Sequence, residues 1–509
     1  MSALVETKYG KLQGYEKEGL QIFKGIPFAR PPVGKLRFQA PQPPEPWDGV
    51  REASKWGGAC PQDKIPIMNV GEMSEDCLYL NVWTPACDGK KRPVMFWIHG
   101  GGFMIGSTAQ GEYNGKHLAK NGDVVVVSTN YRLGAFGFLH LSELLGEGFP
   151  SASNNGIRDQ IAALEWVREN IEAFGGDPAD VTIFGESAGG MSVSTLLGSP
   201  KTKGLFAKAI PQSGAANHSI SSEDGTRAAK AVLDALGIDP KNPEKLWEVD
   251  ARSIVKAQRA SAKLTVAVGP GKIPQTAMTL IPVVDGDVLP RGIWEAINGG
   301  IAKDVSVMTG TTFEEWRLFS QMAELTAGMS GGEKPPEIDA DKLSQFVEAG
   351  LPGRAEAAIA LYSKGREGAK PQEIFTAIET DRMFRAPATR LVEAQSKHNK
   401  NTYFYRVDFA GPTFGACHAI DIPLVFGGVD NPFGQMFTGG GEKARTVSKN
   451  MQDAWLSFAK TGNPGHAGLP EWPAYEESRR ATMIFNTECK VVEDPDAEHR
   501  KFWDDILPR

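Results

Sequence analysis

The sequence has few cysteines, no long apolar run and no cluster of basic residues. Its five cysteines include no Cys-x-x-Cys pair, which excludes a disulfide scaffold and the usual zinc spacing in a chain of 509 residues. No stretch of about 18 apolar residues occurs, so we expect no membrane span. The net charge of −7, with no Lys/Arg run, leaves no basic face for nucleic acid. We therefore expect no metal, no cofactor and no nucleic acid partner.

The amino-terminal residues lack the basic and apolar segments of a targeting signal, which predicts a cytoplasmic protein. Hydrophobic residues make up 41% of the chain and charged residues 23%, as in a globular protein with a substantial core. No linker-like stretch divides the sequence. We therefore predict one domain over residues 1–509, present as a monomer or a weak homodimer.

Short apolar runs alternate with helical patterns along most of the chain. This alternation predicts an α/β fold, in which one large, mostly parallel twisted sheet carries helices on both faces. The segment Pro27–Pro46 is rich in proline and is predicted to be irregular. The predicted strands are a hairpin over Val5–Tyr15, an edge strand at Gln21–Lys24, and Val94–Ile98, Val124–Ser128, Val181–Phe184, Lys208–Pro211, Val305–Thr309, Thr402–Phe409 and Thr482–Phe485.

Two helical regions stand out from this pattern. The segment Asp159–Ile171 places its apolar residues on one face, as an amphipathic helix does. Residues 320–396 are charged and helical and lack convincing strands, so we predict a helical insertion over one end of the sheet. Such a lobe could shape a substrate gorge, or it could simply be solvated.

The pentapeptide Gly185–Gly189 has the pattern Gly-x-Ser-x-Gly. In a chain with 57 glycines this pattern can arise by chance, but here a β-branched strand precedes it and a helix from Ala188 to about Leu197 follows. That context is typical of a nucleophile on a tight strand-to-helix turn, where flanking side chains would collide. Ser187 is therefore the candidate nucleophile.

A nucleophilic serine needs a base and a group that orients the base, and in α/β-hydrolases these follow the serine as acid and then histidine. His398, His466 and His499 lie in polar surroundings, whereas His418 has apolar neighbours on both sides. We predict His418 as the base.

Glu314 and Glu315 follow a predicted strand and are both candidates for the acid, because such loops carry functional groups at the carboxyl edge of a sheet. Spacing alone does not choose between them. The glycines after Val94–Ile98 place Gly101 and Gly102 as oxyanion donors, together with the Ala188 N–H.

These motifs give the chain a resemblance to the type-B carboxylesterases, the cholinesterase-like branch of the α/β-hydrolases, and within it to bacterial para-nitrobenzyl esterases. Phe174–Gly189 resembles the long serine signature of that family, and Glu75–Pro85 resembles its second signature. The resemblance implies an α/β-hydrolase fold with helical insertions over the active site. It also implies that Glu315 is the acid, and it supports His418 and the three oxyanion donors.

The resemblance has further implications and one clear departure. It implies ion pairs between Arg37 and Glu75 and between Arg132 and Asp159. It also aligns Cys60 and Cys77 with a loop-closing pair, and the sequence leaves both the bonded and the free state of these two thiols open. The interval from Cys60 to Cys77 lacks the tryptophan that holds choline in cholinesterases. We therefore expect no quaternary ammonium substrate.

The expected reaction is hydrolysis of a small carboxylic ester through an acyl-enzyme. By position, the aromatic residues Phe103, Trp316 and Phe319 are candidates for contacts with an aryl or alkyl group of the substrate. Lipase, amidase and thioesterase activities are alternatives within the same chemistry. A non-catalytic binding module is the alternative from another class, although such modules usually lose the serine or the histidine.

Overall fold

The computed structural model describes residues 2–65, 68–146, 152–242, 244–330 and 337–507, with the backbone alone at 2 and at 324–330. The strands are β1 Ser2–Thr7, β2 Gly10–Lys17, β3 Leu20–Pro27, β4 Val50–Glu52, β5 Tyr79–Thr84, β6 Arg92–Ile98, β7 Val125–Thr129, β8 Gly176–Glu186, β9 Lys208–Gln212, β10 Thr265–Val268, β11 Ile273–Thr276, β12 Ser306–Thr312, β13 Thr402–Val407, β14 Ala481–Phe485 and β15 Lys490–Glu493.

The α-helices lie between and after these strands. They are α1 Lys116–Gly122, α2 Gly134–Phe138, α3 Ser142–Leu145, α4 Asn155–Asn170, α5 Ala188–Gly198, α6 Ser222–Leu236, α7 Lys245–Glu248, α8 Ala251–Ala257, α9 Ile293–Asn298, α10 Glu315–Ser330, α11 Ala340–Gly350, α12 Ala355–Ser363, α13 Pro371–Thr380, α14 Ala386–Ser396, α15 Asp421–Phe426, α16 Pro432–Thr438, α17 Gly441–Thr461 and α18 Ala497–Asp504. A π-helical turn, Asp381–Arg385, joins α13 to α14.

One large sheet organises the fold. Its strands follow the order β1-β2-β3-β5-β7-β6-β8-β9-β12-β13-β14-β15, and β4 pairs with β2. From β7 to β14 every neighbouring pair is parallel, while the pairs from β1 to β7 along this order and the pair β14–β15 are antiparallel, and β4 pairs with β2 in parallel. The predicted mostly parallel sheet is therefore confirmed at its centre. Because parallel strands end at the same edge, residues that follow β6, β8, β12 and β13 are brought together there.

Helices cover both faces of the sheet, and the side chains of β6 show why. Val94, Phe96 and Ile98 belong to the core on the face covered by α4 and α5. Met95 and Trp97 belong to the core on the opposite face, covered by α15 and α17. Because successive strand residues point to opposite faces, only a continuous apolar run can satisfy both cores.

Some elements differ from the prediction. Strand β5 and the two-stranded hairpin β10–β11 were not predicted, and α4 begins at Asn155 rather than at Asp159. The described part of residues 320–396 contains helices and no strand, and α14 packs against β12 and β13 of the main sheet. Among the described residues no helix combines the length and the apolar character that a membrane crossing requires.

The structure confirms the two predicted ion pairs and shows that Cys60 and Cys77 do not form a disulfide. Arg37 binds both oxygens of Glu75 at 2.6 Å, and Arg132 binds both oxygens of Asp159 at 2.7 and 2.8 Å. Cys60 and Cys77 are buried and carry free thiols. A hydrogen bond with Cys60, together with burial, raises the pKa of the Cys77 thiol well above its usual value.

Candidate active site

Ser187 occupies the turn between β8 and α5 in a strained backbone conformation, with φ 59° and ψ −127°. A Cβ atom at Gly189 would lie 2.1 Å from the Ile98 carbonyl oxygen, and one at Gly185 would lie 2.6 Å from the same atom. Neither position therefore accepts a larger residue. The two glycines let the turn pass close to β6 and present the serine at the carboxyl edge of the sheet.

Glu315 and His418 meet at this same edge. Glu315 begins α10 just after β12, and His418 lies in the loop after β13. The Nδ1 atom of His418 lies 2.6 Å from Glu315 Oε2. The other oxygen of Glu315 accepts hydrogen bonds from the Thr312 N–H and the Ser213 hydroxyl, each at 2.7 Å. The carboxylate is fully buried and has a donor on each oxygen, so its orientation is closely determined.

The neighbouring Glu314 points elsewhere. Its carboxylate forms an ion pair with Arg317 at 3.0 Å and accepts a hydrogen bond from the Ala416 N–H at 3.2 Å. It therefore braces the loop that carries the histidine without contacting the imidazole.

The three other histidines that were compared with His418 in the sequence contact groups outside this site. His398 Nε2 lies 2.8 Å from the Asn298 carbonyl, His466 Nε2 lies 3.1 Å from the Asn450 carbonyl, and the ring of His499 stacks on Tyr362.

The glycine turn after β6 lies beside the serine. Gly101 and Gly102 line the same cavity as Ser187, with φ of 108° and 61°. A Cβ atom at Gly101 would lie 2.1 Å from the Ile105 carbonyl oxygen, so only glycine fits there. Ala188 is the first residue of α5, and its N–H has no acceptor within the helix. These backbone groups are suited to bind a negatively charged oxygen next to Ser187.

Glu186 is the most unusual neighbour of the histidine. Its Oε1 lies 3.0 Å from His418 Nε2, although neither atom has a hydrogen-bond partner among the described residues. Burial, reinforced by the nearby charges of Asp421 and Glu315, raises the pKa of Glu186. Burial also raises the pKa of Asp421 to about 6. Burial alone would lower the pKa of His418, but the charge of Glu186 and the hydrogen bond to Glu315 outweigh it and raise that pKa.

Glu186, Ser213 and Asp421 were not predicted as members of the site. Glu186 lies inside the serine pentapeptide, and Asp421 lies three positions after His418, so both were close to a recognised signal. Ser213 directly follows the buried strand β9 and had no sequence signal, because its role depends on β9 and β12 being neighbours.

A cavity of about 1030 Å³ leads to Ser187 and His418. Trp316 and Phe319 line it, and the Phe319 ring lies 5.0 Å from the His418 ring. Phe103 does not line it: this side chain is fully buried and packs 4.8 Å from Phe138, so its predicted contact with substrate does not fit the structure. Further apolar lining residues, which the sequence analysis did not identify, are Phe346, Phe375, Met383, Phe384, Phe433 and Phe437.

The described residues contain no group of three or more His, Cys, Asp or Glu side chains arranged to hold a metal ion.

Comparison with known proteins gives consistent matches over nearly the full length. A family model described as the carboxylesterase family matches residues 1–503. The chain is 39% identical over 510 residues to para-nitrobenzyl esterase of Bacillus subtilis, covering 98% of both proteins. It is 31% identical over 507 residues to phenmedipham hydrolase of Pseudarthrobacter oxydans, covering 96% of both. The solved structure of Geobacillus stearothermophilus carboxylesterase EST55 superposes with a TM-score of 0.86 at 40% identity, over 98% of this chain and 100% of the other.

Proposed function

This chain belongs to the carboxylesterase family and is a carboxylic ester hydrolase; from that premise we propose that it cleaves esters through an acyl-enzyme on Ser187, with His418 and Glu315 as its catalytic partners. The observation that carries the proposal is the contact of 2.6 Å between His418 Nδ1 and Glu315 Oε2, at the sheet edge where Ser187 occupies its strained turn. A serine, an imidazole and a buried carboxylate in this relation form the arrangement that activates a hydroxyl at neutral pH.

In the first half of the reaction, His418 Nε2 takes the proton of Ser187 as the serine oxygen attacks the ester carbonyl. Glu315 holds the proton on Nδ1 and stabilises the imidazolium that forms. The N–H groups of Gly101, Gly102 and Ala188 bind the oxyanion, and each contributes on the order of 3 kcal/mol to stabilising the transition state. His418 then protonates the departing alcohol.

In the second half, water enters and the same groups act again. His418 takes a proton from the water, which attacks the acyl carbonyl, and the returning proton restores the serine hydroxyl as the acid leaves. The protons balance in both halves, with the ester and one water molecule as the reactants.

The cavity supports a substrate with aryl or alkyl groups. The ring of Phe319 lies beside His418, and Trp316 packs against Phe319 with ring centroids 4.9 Å apart. A wall of this kind stabilises apolar groups by removing their surface from water, at about 25 cal/mol per Å². We infer that the substrate is a small ester whose apolar portion contacts this wall.

The proposal is tested by replacing Ser187 with alanine. Hydrolysis of para-nitrophenyl acetate is expected to fall by roughly a million-fold in kcat, because the nucleophile is lost while the fold is kept. Labelling by an organophosphate, followed by mass spectrometry, is expected to modify Ser187 in the parent protein and nothing in the variant. Ser194→Ala, which changes another buried serine of the same helix, serves as the control and is expected to keep most of the activity. Substantial turnover by the Ser187→Ala variant would rule out the assigned nucleophile.

A further inference from the structure

A second, smaller pocket lies near the β1 edge of the sheet, on the face that α15 and α17 cover. It has a volume of about 90 Å³ and, among the described residues, shares no lining residue with the cavity of the candidate active site. Tyr15 pairs in register with Ile22, which in turn pairs with Trp83 of β5, so these side chains share one face. Lys17 and Lys24 each lie two residues further along the same strands and therefore point to that face as well. All five side chains line the pocket.

The ammonium group of Lys24 lies beside two aromatic rings that also line the pocket. Its Nζ atom is 4.0 Å from the centroid of the Trp56 ring and 5.8 Å from that of the Tyr15 ring. Trp56 packs on Trp83 with ring centroids 6.0 Å apart, so the wall next to the ammonium is apolar. The negative faces of the rings attract the charge, but they offer it no oxygen acceptor.

The positive charge of the pocket is not balanced. Among the described residues, no carboxylate lies within ion-pair distance of Lys24. Glu18, the acidic residue of the lining, forms its ion pair of 3.2 Å with Lys116. With Lys17, the lining carries three lysines and one glutamate, an excess of two positive charges in a chain whose net charge is −7. Burial and the charge of Lys17 lower the pKa of Lys24, as expected of an ammonium group that has no anion beside it.

The pocket matches a small oxyanion in its donors and in its size. Asn114, which also lines it, accepts a hydrogen bond of 3.2 Å from the Lys116 N–H on its Oδ1 atom, and its NH₂ group remains a donor. Ammonium groups form charge-assisted hydrogen bonds with the oxygens of carboxylates and phosphates. One water occupies about 30 Å³ in the liquid, so the pocket has room for about three waters, or for an anion of about four or five heavy atoms.

The apolar wall distinguishes between these two oxyanions. Phosphate is hydrated on every side and loses water against Trp56 and Ile22 without compensation, whereas the alkyl group of a short-chain carboxylate is stabilised by burial there. We propose that this pocket is a binding site for a short-chain carboxylate, which Lys24 binds with the support of Lys17 and Lys116. Ester hydrolysis releases carboxylic acids, so the enzyme itself generates ligands of this class. Binding at this pocket goes beyond the proposed function and does not require the catalytic serine.

The test measures the reactivity of individual lysines. The parent protein is methylated briefly with formaldehyde and dimethylamine borane in sodium chloride, sodium phosphate or sodium propionate, at one pH and one ionic strength. Peptide mass spectrometry then gives the extent of labelling at each lysine. Propionate is expected to slow the labelling of Lys24 by about fivefold or more, because a bound carboxylate covers the amine and favours its unreactive charged form. Phosphate is expected to slow it less. Lys120, an exposed residue of α1 outside the pocket lining, should be unaffected by either anion.

Two variants then locate the binding. Lys24→Met keeps the apolar stem of the side chain and removes the ammonium group, and Lys120→Met is the matched control, because it removes the same charge from outside the pocket lining. A ligand that binds the folded protein raises its melting temperature with concentration. The propionate concentration that gives half of this rise is expected to increase about tenfold or more in Lys24→Met and to stay unchanged in the control. Without propionate, the melting temperature of Lys24→Met should stay the same or rise, since repulsion by Lys17 is removed.

Labelling of Lys24 at the same rate in propionate and in chloride would overturn the proposal, as would the same dependence of melting temperature on propionate in Lys24→Met and in the parent protein. Protection by phosphate as strong as that by propionate would overturn the assigned class of ligand. If Lys24→Met does not fold, the labelling of the parent protein decides by itself. Neither measurement uses an ester, so the outcome is independent of whether Ser187 is the nucleophile.

Discussion

Glu315→Gln replaces one carboxylate oxygen by an amide nitrogen and leaves the shape of the side chain unchanged. The position of Oε1 must be occupied by an acceptor, because Oε1 accepts a hydrogen bond of 2.7 Å from the backbone N–H of Thr312 and that donor cannot rotate away. The amide oxygen must take this place, which puts the NH₂ group against His418 Nδ1, where Oε2 now lies at 2.6 Å. The imidazole then accepts on Nδ1 and carries its proton on Nε2. In that tautomer it cannot take the proton of Ser187.

The expected cost of Glu315→Gln follows from this wrong tautomer. The equivalent change of acid to amide in serine proteases lowers kcat by about 10⁴, which corresponds to about 5.4 kcal/mol in the barrier. Initial rates with para-nitrophenyl acetate measure it, and the melting temperature shows whether the fold is kept. Glu314→Gln is the control, since Glu314 binds Arg317 and the Ala416 N–H without contacting the imidazole. If Glu315→Gln kept more than about a tenth of the parent kcat, or if Glu314→Gln lost as much, the assignment of the acid would be refuted.

Two further changes test the electrostatics of the site and of the core. Glu186→Gln removes a carboxylate whose negative charge raises the pKa of His418. The acid limb of the pH profile of kcat/KM is therefore expected to move to lower pH by roughly one unit or more. An acid limb that stays in place or moves to higher pH would contradict this expectation. Asp159→Asn leaves the guanidinium of Arg132, 2% exposed, without its counter-charge, and is expected to lower the free energy of unfolding by about 3–5 kcal/mol. Glu169→Gln, which breaks an exposed ion pair, should change that energy by less than about 1 kcal/mol in the same denaturation experiment.

Much of the fold was predictable because it depends on local patterns. The run Val94–Ile98 is apolar at every position, and Val181–Phe184 is apolar except for the buried Thr182, as expected of strands that contribute to a core on each face. The hairpin β10–β11 was missed because it is short and its pattern is interrupted by glycine and proline residues. A short hairpin is stabilised by the elements that pack against it, here helix α11. The residues of the hairpin itself carry no sequence signal of that contact.

The residues of the candidate site likewise divide into those that a local pattern predicts and those that it does not. Ser187 and the glycine turn at Gly101 could be named in advance, since each depends on a backbone conformation that only a short, specific sequence adopts. His418 could be chosen because its neighbours along the chain are apolar. Phe103 was misplaced, since its position next to a recognised motif did not show which way the side chain points.

The sequence by itself determined the sheet, the candidate nucleophile on its turn, the family and the class of reaction, because these depend on periodicity and on short motifs whose geometry is local. Residue patterns left Glu314 and Glu315 open and the family resemblance implied Glu315, but only the tertiary structure shows the physical reason: Thr312 and Ser213 hold Glu315 against the imidazole, whereas Glu314 binds Arg317 and the Ala416 N–H. The tertiary structure likewise decided the wall of the cavity, since Trp316, Phe346 and Phe384 line one cavity only after distant segments have packed together.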